Sequence, residues 1–247
     1  MSRWRGAAWW LTLCLLLPVL LPLALHTRRH ALRLPAAAGA QRGLAGADWP
    51  GEPLRLLVLG ESTVAGVGAA SQEQALVGQL AHALANRQQR PVAWRACGEN
   101  GITAAQAWER LVPEVAGEPV DLVLLVFGVN DSTGLSSMRR WQCALNSLAA
   151  HFSGGGARVA FSAVAPMQHF SALPWLLRSM LGMRAAMLDA ALRQVAADSA
   201  VEYCPLQLRF SAEYLAPDGY HPSSEGYRVW AEGLAEVLTL PPLPAAA

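Results

Sequence analysis

The sequence predicts an α/β fold, namely a three-layer α/β/α sandwich with a central five-stranded parallel sheet. Two observations support this prediction: short apolar runs alternate with amphipathic stretches, and the third and fourth runs are apolar almost throughout. Strands of a parallel sheet have this composition because helices cover both of their faces. The predicted strands are residues 54–59, 92–96, 122–127, 159–164 and 201–203.

Amphipathic segments between these strands predict the helices of the outer layers. Ser71 and Thr103 are each followed three residues later by a glutamine, which is the spacing of a capping box at a helix N-terminus. We expect the first of these helices to run to about residue 86 and the second to end near Pro113. Further helices are predicted at residues 137–152, 181–197 and 224–238.

The N-terminal 34 residues predict a membrane segment. Residues 7–25 carry no charge, and as a helix rising about 1.5 Å per residue they would span roughly the 30 Å hydrocarbon core of a bilayer. We therefore expect residues 1–34 to be an uncleaved anchor, in the inner membrane if the protein is bacterial. The alternative is a signal peptide that is removed on export. Arginines flank both ends, so the side of the membrane on which the domain lies stays open.

The rest of the chain divides by composition. Residues 35–53 are rich in Ala, Gly and Pro and predict a linker, residues 54–240 predict one globular domain, and residues 241–247 form a tail. The net charge of +1 indicates no excess of basic side chains for binding a nucleic-acid backbone, so we expect no nucleic-acid partner. The cysteines form no C-x-x-C pair and indicate no metal site, although a disulfide among the last three is left open. They are Cys14, Cys97, Cys143 and Cys204.

Four polar segments lie where an α/β protein keeps its functional loops. Three of them follow predicted strands and the fourth precedes the last helix. Because the carboxyl ends of parallel strands meet at one edge of the sheet, we expect all four segments to converge there. They are Gly60-Glu61-Ser62, residues 100–103, residues 128–131 and residues 218–222.

The residue types in these segments predict nucleophilic catalysis. The hydroxyl of Ser62 is a weak nucleophile until a base takes its proton, and His221 is the candidate base. Asp218 stands three residues earlier and is placed to orient the imidazole. Attack on an acyl carbonyl creates an oxyanion, whose candidate donors are the backbone N–H groups of Ser62 and Gly101 and the side-chain amide of Asn130. This chemistry requires no metal and no organic cofactor.

The ordered segments resemble the conserved blocks of the SGNH hydrolases, also called the GDSL esterase/lipase family. Gly60-Glu61-Ser62 is similar to the first block, Gly101 to the second, Gly128-x-Asn130-Asp131 to the third and Asp218-x-x-His221 to the fifth. The resemblance covers residues 54–238. It implies a flavodoxin-like sandwich and an esterase that hydrolyses carboxylic esters through an acyl-enzyme.

The sequence departs from this family pattern in its first two blocks. Glu61 replaces the usual aspartate, and Thr63 stands where leucine is typical. The second block, around Gly101, lacks the family's fuller glycine-rich context. Asp131 is interpreted as structural support for the third block.

An apolar segment at residues 167–183 has two interpretations. It is either a loop and helix packed on the core, or a flap beside the site that receives an acyl chain or dips into a bilayer. The second interpretation favours small-molecule or lipid-like esters as substrates. Its candidate pocket residues are Met167, His169, Phe170 and Trp175.

Two other functions fit the same residues. An acyltransferase or a carbohydrate O-acetyl esterase would use the same site with a different acceptor or substrate. An inactive binding module would keep the fold without the reaction. Nothing in the sequence indicates the natural ester or the oligomeric state.

Overall fold

The computed structural model describes residues 3–206 and 211–240, so the predicted tail at 241–247 lies outside the described residues. Its centre is a six-stranded sheet with the order β1-β3-β2-β4-β5-β6. The last five strands in the chain are parallel, and β1 pairs with β3 in the antiparallel sense. The strands are β1 (Arg42–Ala45), β2 (Leu54–Gly60), β3 (Val92–Gly98), β4 (Leu122–Val126), β5 (Arg158–Ser162) and β6 (Glu202–Cys204).

The predicted fold class is confirmed, but the sheet has six strands rather than five. The additional strand β1 lies at the edge of the sheet, within the range that the sequence predicts as a linker. Its four residues pair with Val92 to Arg95 of β3. A strand this short forms because it pairs with β3. Its own sequence has no apolar alternation from which a strand could be predicted.

The register of the central strands positions the predicted functional loops. Gly60, the last residue of β2, pairs with Gly98 of β3 on one side and Val126 of β4 on the other. The three strands therefore end at the same level. The loops that follow them emerge side by side from one edge of the sheet.

Helices cover both faces of the sheet. On one face α2 and α7 pack against each other, and on the other face α3, α5 and α6 form the layer. All four cysteines lie among the described residues and are free. The helices are α1 (Arg3–His30), α2 (Leu76–Gln88), α3 (Ala104–Arg110), α4 (Val129–Thr133), α5 (Met138–Gly154), α6 (Trp175–Asp198) and α7 (Ser224–Val237).

Of the two predicted capping boxes, the one at Thr103 forms and the one at Ser71 does not. At α3 the Thr103 side chain accepts from the Gln106 backbone N–H, and the Gln106 side chain accepts from the Thr103 backbone N–H. At Ser71 no capping hydrogen bond forms, because a 3-10 turn at Gln72–Gln74 precedes α2. Helix α6 begins at Trp175, six residues before its predicted start at Leu181.

Helix α1 is 28 residues long and lies against α6. The indole N–H of Trp9 donates to the Met180 carbonyl oxygen at 3.1 Å. Residues 6–30 form the one helix among the described residues that is long and apolar enough to cross a membrane, and only 11% of its most apolar window is buried. A membrane anchor and a signal peptide both have this composition.

Thr103→Ala should lower the free energy of unfolding by about 1 kcal/mol, because it removes the side-chain half of the capping box of α3. Urea denaturation followed by circular dichroism measures the change. The matched control is Thr133→Ala, which removes an exposed hydroxyl from α4 and should stay within about 0.5 kcal/mol of wild type. Equal losses in the two variants would contradict the assigned cap.

Candidate active site

Three side chains from opposite ends of the domain meet at the carboxyl edge of the sheet. Ser62 is the second residue after β2, and Asp218 and His221 share the loop that precedes α7. The Ser62 Oγ lies 2.9 Å from the His221 Nε2, and the His221 Nδ1 lies 2.6 Å from the Asp218 Oδ2. The structure therefore brings the three predicted residues together in one hydrogen-bonded chain.

The Asp218 carboxylate fixes the orientation of the imidazole. Its Oδ1 accepts the backbone N–H groups of Tyr220 and His221, each at 3.0 Å. Burial acts to raise the pKa of Asp218, but these bonds and the one from the His221 ring lower it below its ordinary value. An ionised carboxylate only accepts, so the His221 Nδ1–H donates to Asp218 and the Nε2 faces the Ser62 hydroxyl.

The three predicted oxyanion donors lie in the segments that follow β2, β3 and β4, and Asn130 is in α4. The Asn130 Nδ2 donates to the Ile102 carbonyl oxygen at 3.0 Å, which uses one of its two hydrogens and fixes the amide. Within residues 3–206 and 211–240, the backbone N–H groups of Ser62 and Gly101 have no hydrogen-bond acceptor. These two backbone groups are therefore free to donate to a bound atom.

Glycine at position 101 is required by backbone conformation. Its φ is +85°, which lies in the left-handed region that side chains disfavour, and no atom lies within 4 Å of the position that a Cβ would occupy. The residue is exposed at the surface of the site. A substitution here would strain the turn that presents the N–H group rather than fill space.

Glu61 links the first and third segments, a role that the sequence analysis does not assign. The oxygens of its carboxyl group accept the backbone N–H of Val129 at 3.0 Å and that of Asn130 at 2.9 Å. The residue is only 3% exposed, and burial raises its pKa to about 8 although the two N–H donors act in the opposite direction. A charged residue directly after an apolar strand is the signal in the sequence.

Two further contacts hold the loops in place. The Asp131 Oδ2 accepts the backbone N–H of Ala104 at 2.9 Å and so joins the third segment to the start of α3, in agreement with its predicted structural role. The Tyr227 hydroxyl on α7 donates to the Val67 carbonyl oxygen at 2.6 Å. This second contact ties the segment after Ser62 to the helix that follows His221.

A narrow apolar cavity of about 30 Å³ adjoins the side chains of Ser62 and His221. Phe170 is buried in its wall, and its ring meets the Tyr220 ring edge to face with centroids 4.8 Å apart. The remaining lining is mostly aliphatic or aromatic and comes from Val129, Ala165, Leu206, Leu215, Pro222 and Trp230, with Glu61 and Thr63.

Of the four predicted pocket residues, only Phe170 lines this cavity. The 3-10 turn at Met167–His169 directs Met167 into the core, where it is fully buried, and leaves His169 exposed. Trp175 is 70% exposed at the start of α6, on the outside of the domain. Among the described residues, no group of three His, Cys, Asp or Glu side chains is placed to hold a metal ion.

A parallel α/β sheet with a serine, an imidazole and a carboxylate beyond its carboxyl edge is typical of serine hydrolases. The family model for the GDSL-like lipase/acylhydrolase family matches residues 58–229, which is more than half of the chain. The chain belongs to this family. The resemblance stated from the sequence is thereby confirmed.

Solved structures with the same fold include several members of this family. A putative lipolytic protein of the G-D-S-L family from Desulfitobacterium hafniense is 14% identical, with a TM-score of 0.61 over 74% of this chain and 99% of that chain. The lipase/acylhydrolase from Enterococcus faecalis is 22% identical, with a TM-score of 0.59 over 74% and 94%. An acetyl xylan esterase, AlAXEase, is 16% identical, with a TM-score of 0.60 over 75% and 100%. No curated protein matches the sequence.

Ionisation of Glu61 should make the folded state less stable as the pH rises. Its folded pKa of about 8 lies above the ordinary value of 4.5, so its contribution is fully present below pH 4.5 and is lost as the pH approaches 8. The loss amounts to at most about 1.4 kcal/mol per pH unit. Urea denaturation at several pH values should therefore show a steeper decline for wild type than for Glu61→Gln.

The control for this experiment is Glu73→Gln, which makes the same chemical change at an exposed position. This variant should keep the pH dependence of wild type. If Glu61→Gln also keeps it, the buried carboxyl does not titrate in this range.

Proposed function

We propose that the protein is a serine ester hydrolase that acts on carboxylic esters through an acyl-enzyme. The observation that carries this proposal is the 2.9 Å contact between the Ser62 Oγ and an imidazole that Asp218 already orients. Membership of an acylhydrolase family supports the same conclusion. In this proposal Ser62 is the nucleophile, His221 the general base and Asp218 the residue that orients His221.

The proposed reaction has two halves that use the same proton path. His221 Nε2 takes the Ser62 hydroxyl proton while Oγ bonds to the carbonyl carbon, and the imidazolium then protonates the departing alkoxide. Water next attacks the acyl-enzyme, with His221 again accepting a proton. The imidazolium then returns this proton to the Ser62 Oγ as the Oγ–acyl bond breaks, and the carboxylic acid leaves.

The tetrahedral intermediate of each half carries a negative oxygen. We assign its stabilisation to the backbone N–H groups of Ser62 and Gly101 and to the side-chain amide of Asn130. Glu61 and Ile102 hold the Asn130 backbone and side chain before substrate arrives. Donors that are fixed in this way stabilise charge as it develops without having to reorganise.

We also propose that α1 is retained and attaches the enzyme to a membrane. Its apolar length and its packing against α6 support retention. Export with removal of residues 1–34 is the alternative. It would give a form in which the α6 face that now contacts Trp9 is uncovered.

The size of the cavity favours a small acyl group, which makes a carbohydrate O-acetyl esterase the second candidate. A free volume of about 30 Å³ beside Ser62 exceeds what one water requires but is small for a long acyl chain. A structural neighbour described as an acetyl xylan esterase is compatible with this candidate. In either case the nucleophile and the proton path are the same.

A fluorophosphonate probe should label the full chain at Ser62, because only an activated serine reacts with it at a useful rate. Ser62→Ala should abolish labelling and reduce ester hydrolysis by about 10³-fold or more. Mass spectrometry locates the label. The control is Ser171→Ala, which removes an exposed hydroxyl near the site and should label like wild type. Absence of labelling in folded wild-type protein would favour the inactive binding module.

Hydrolysis of p-nitrophenyl esters should be fastest for short acyl chains, with kcat/KM about tenfold or more higher for acetyl than for octanoyl. Phe170→Ala enlarges the cavity and should raise the rate for octanoyl relative to acetyl. The control is Phe152→Ala, which removes a ring from the core between α5 and the sheet rather than from the cavity. A preference of wild type for octanoyl would contradict the assignment of this cavity to the acyl group.

A further inference from the structure

Helix α1 is docked along α6 rather than held away from the domain. Trp9 and Leu20 of α1 and Met180 of α6 are each 5% exposed or less and form one apolar cluster. Side chains from both helices surround this cluster, and the Trp9 indole adds a directed hydrogen bond to the α6 backbone. The residues that surround it are Leu13, Leu16, Leu176, Leu177 and Met187.

A buried arginine fixes the two helices relative to each other. Arg184 of α6 is 2% exposed, and its guanidinium carbon lies 5.4 Å from the Trp9 ring and 5.8 Å from the Trp10 ring. The same guanidinium donates to the Ser136 carbonyl oxygen in the loop before α5. A buried cation needs such partners, because desolvation without them is unfavourable. Separating α1 from α6 would remove two of these partners.

The outward side of this helix pair is apolar on both helices. We call it the α1–α6 apolar surface and define it by its exposed large side chains. Neither α1 nor residues 175–188 of α6 contain an acidic residue, whereas arginines stand at the end of α1 and within the first turn of α6. An uncovered surface of this kind on a soluble domain marks a binding face. It comprises Trp4, Trp10, Leu11, Leu15, Leu17, Val19, Leu21 and Leu25 of α1 and Trp175 and Met183 of α6.

The α1–α6 apolar surface is joined to the active site through the loop that leads into α6. Phe170 in this loop lines the cavity beside Ser62. Two residues later, the Ala172 backbone N–H donates to the Gly219 carbonyl oxygen at 3.0 Å. Gly219 lies between Asp218 and His221. The exposed Trp175 is therefore only three residues along the chain from a residue that is bonded to the loop of Asp218 and His221.

We propose that the α1–α6 apolar surface binds a lipid bilayer, so that the first half of α6 enters the membrane interface together with α1. The proposal rests on the membrane attachment proposed above. The absence of acidic residues and the flanking arginines match an anionic phospholipid surface. The active-site loops are then held next to the lipid, and esters carried in the membrane reach Ser62 without crossing a layer of water.

The rival arrangement places α1 across the bilayer by itself, with the domain in water. Spanning about 30 Å of hydrocarbon would use most of the length of α1, including the stretch that packs on α6. It would therefore have to pull Trp9 and Trp10 away from Arg184. The two arrangements differ in the surroundings of α6, and a probe on α6 distinguishes them.

The test is a nitroxide attached at Met183→Cys in the full chain, reconstituted in vesicles of phosphatidylglycerol and phosphatidylcholine. Cys14→Ser and Cys143→Ser remove the exposed thiols, and the buried Cys97 and Cys204 stay unlabelled. The matched control is a nitroxide at Trp108→Cys, which is 39% exposed on α3, away from α1 and α6. Frequent collisions of the nitroxide with oxygen show that it lies in lipid, and frequent collisions with a neutral nickel chelate show that it lies in water.

The ratio of oxygen to nickel accessibility should be about fivefold or more higher at position 183 than at position 108, because oxygen concentrates in the bilayer and the chelate does not. A label at Trp175→Cys should agree with position 183. Equal ratios at all three positions would overturn the proposal and favour α1 crossing the bilayer alone. The measurement does not involve hydrolysis, so its result is independent of whether Ser62 is the nucleophile.

Discussion

The active site depends on one constraint, the common level at which β2, β3 and β4 end. Gly60 pairs with Gly98 and with Val126, so three loops leave the sheet side by side although their residues are far apart in the chain. The Glu61 carboxyl group then joins the segments that follow β2 and β4 through backbone N–H groups. The sheet register sets the approximate position of the site, and the buried carboxyl group fixes the backbone of Asn130 within it.

The parts of the fold that the sequence predicts well are those with local signals. Buried parallel strands are apolar without alternation, which made β2, β4 and β5 recognisable to within a few residues. Thr103 forms its capping box because the two partners lie three residues apart. Three of the four site segments could be located because they follow predicted strands, and the fourth because it precedes the last predicted helix. Their catalytic roles remain proposals, although their contacts are as expected.

The parts that the sequence does not reveal depend on distant partners. Strand β1 exists because β3 offers an edge to pair with, and the role of Glu61 depends on two N–H groups nearly seventy residues away. From its composition, the apolar run at 167–183 fits a segment packed on the core and a flap beside the site equally well. Its residues divide between core and surface because a 3-10 turn and the early start of α6 place Met167 in the core and Trp175 outside.

The packing of Arg184 has a consequence for how the protein matures. A protease that cut after α1 would leave this guanidinium without its two indole neighbours and would uncover the Met180 side of α6. The shortened chain would then expose a new apolar surface on α6, which would favour association with a second molecule. The packing of α1 against α6 therefore supports the proposal that α1 is retained.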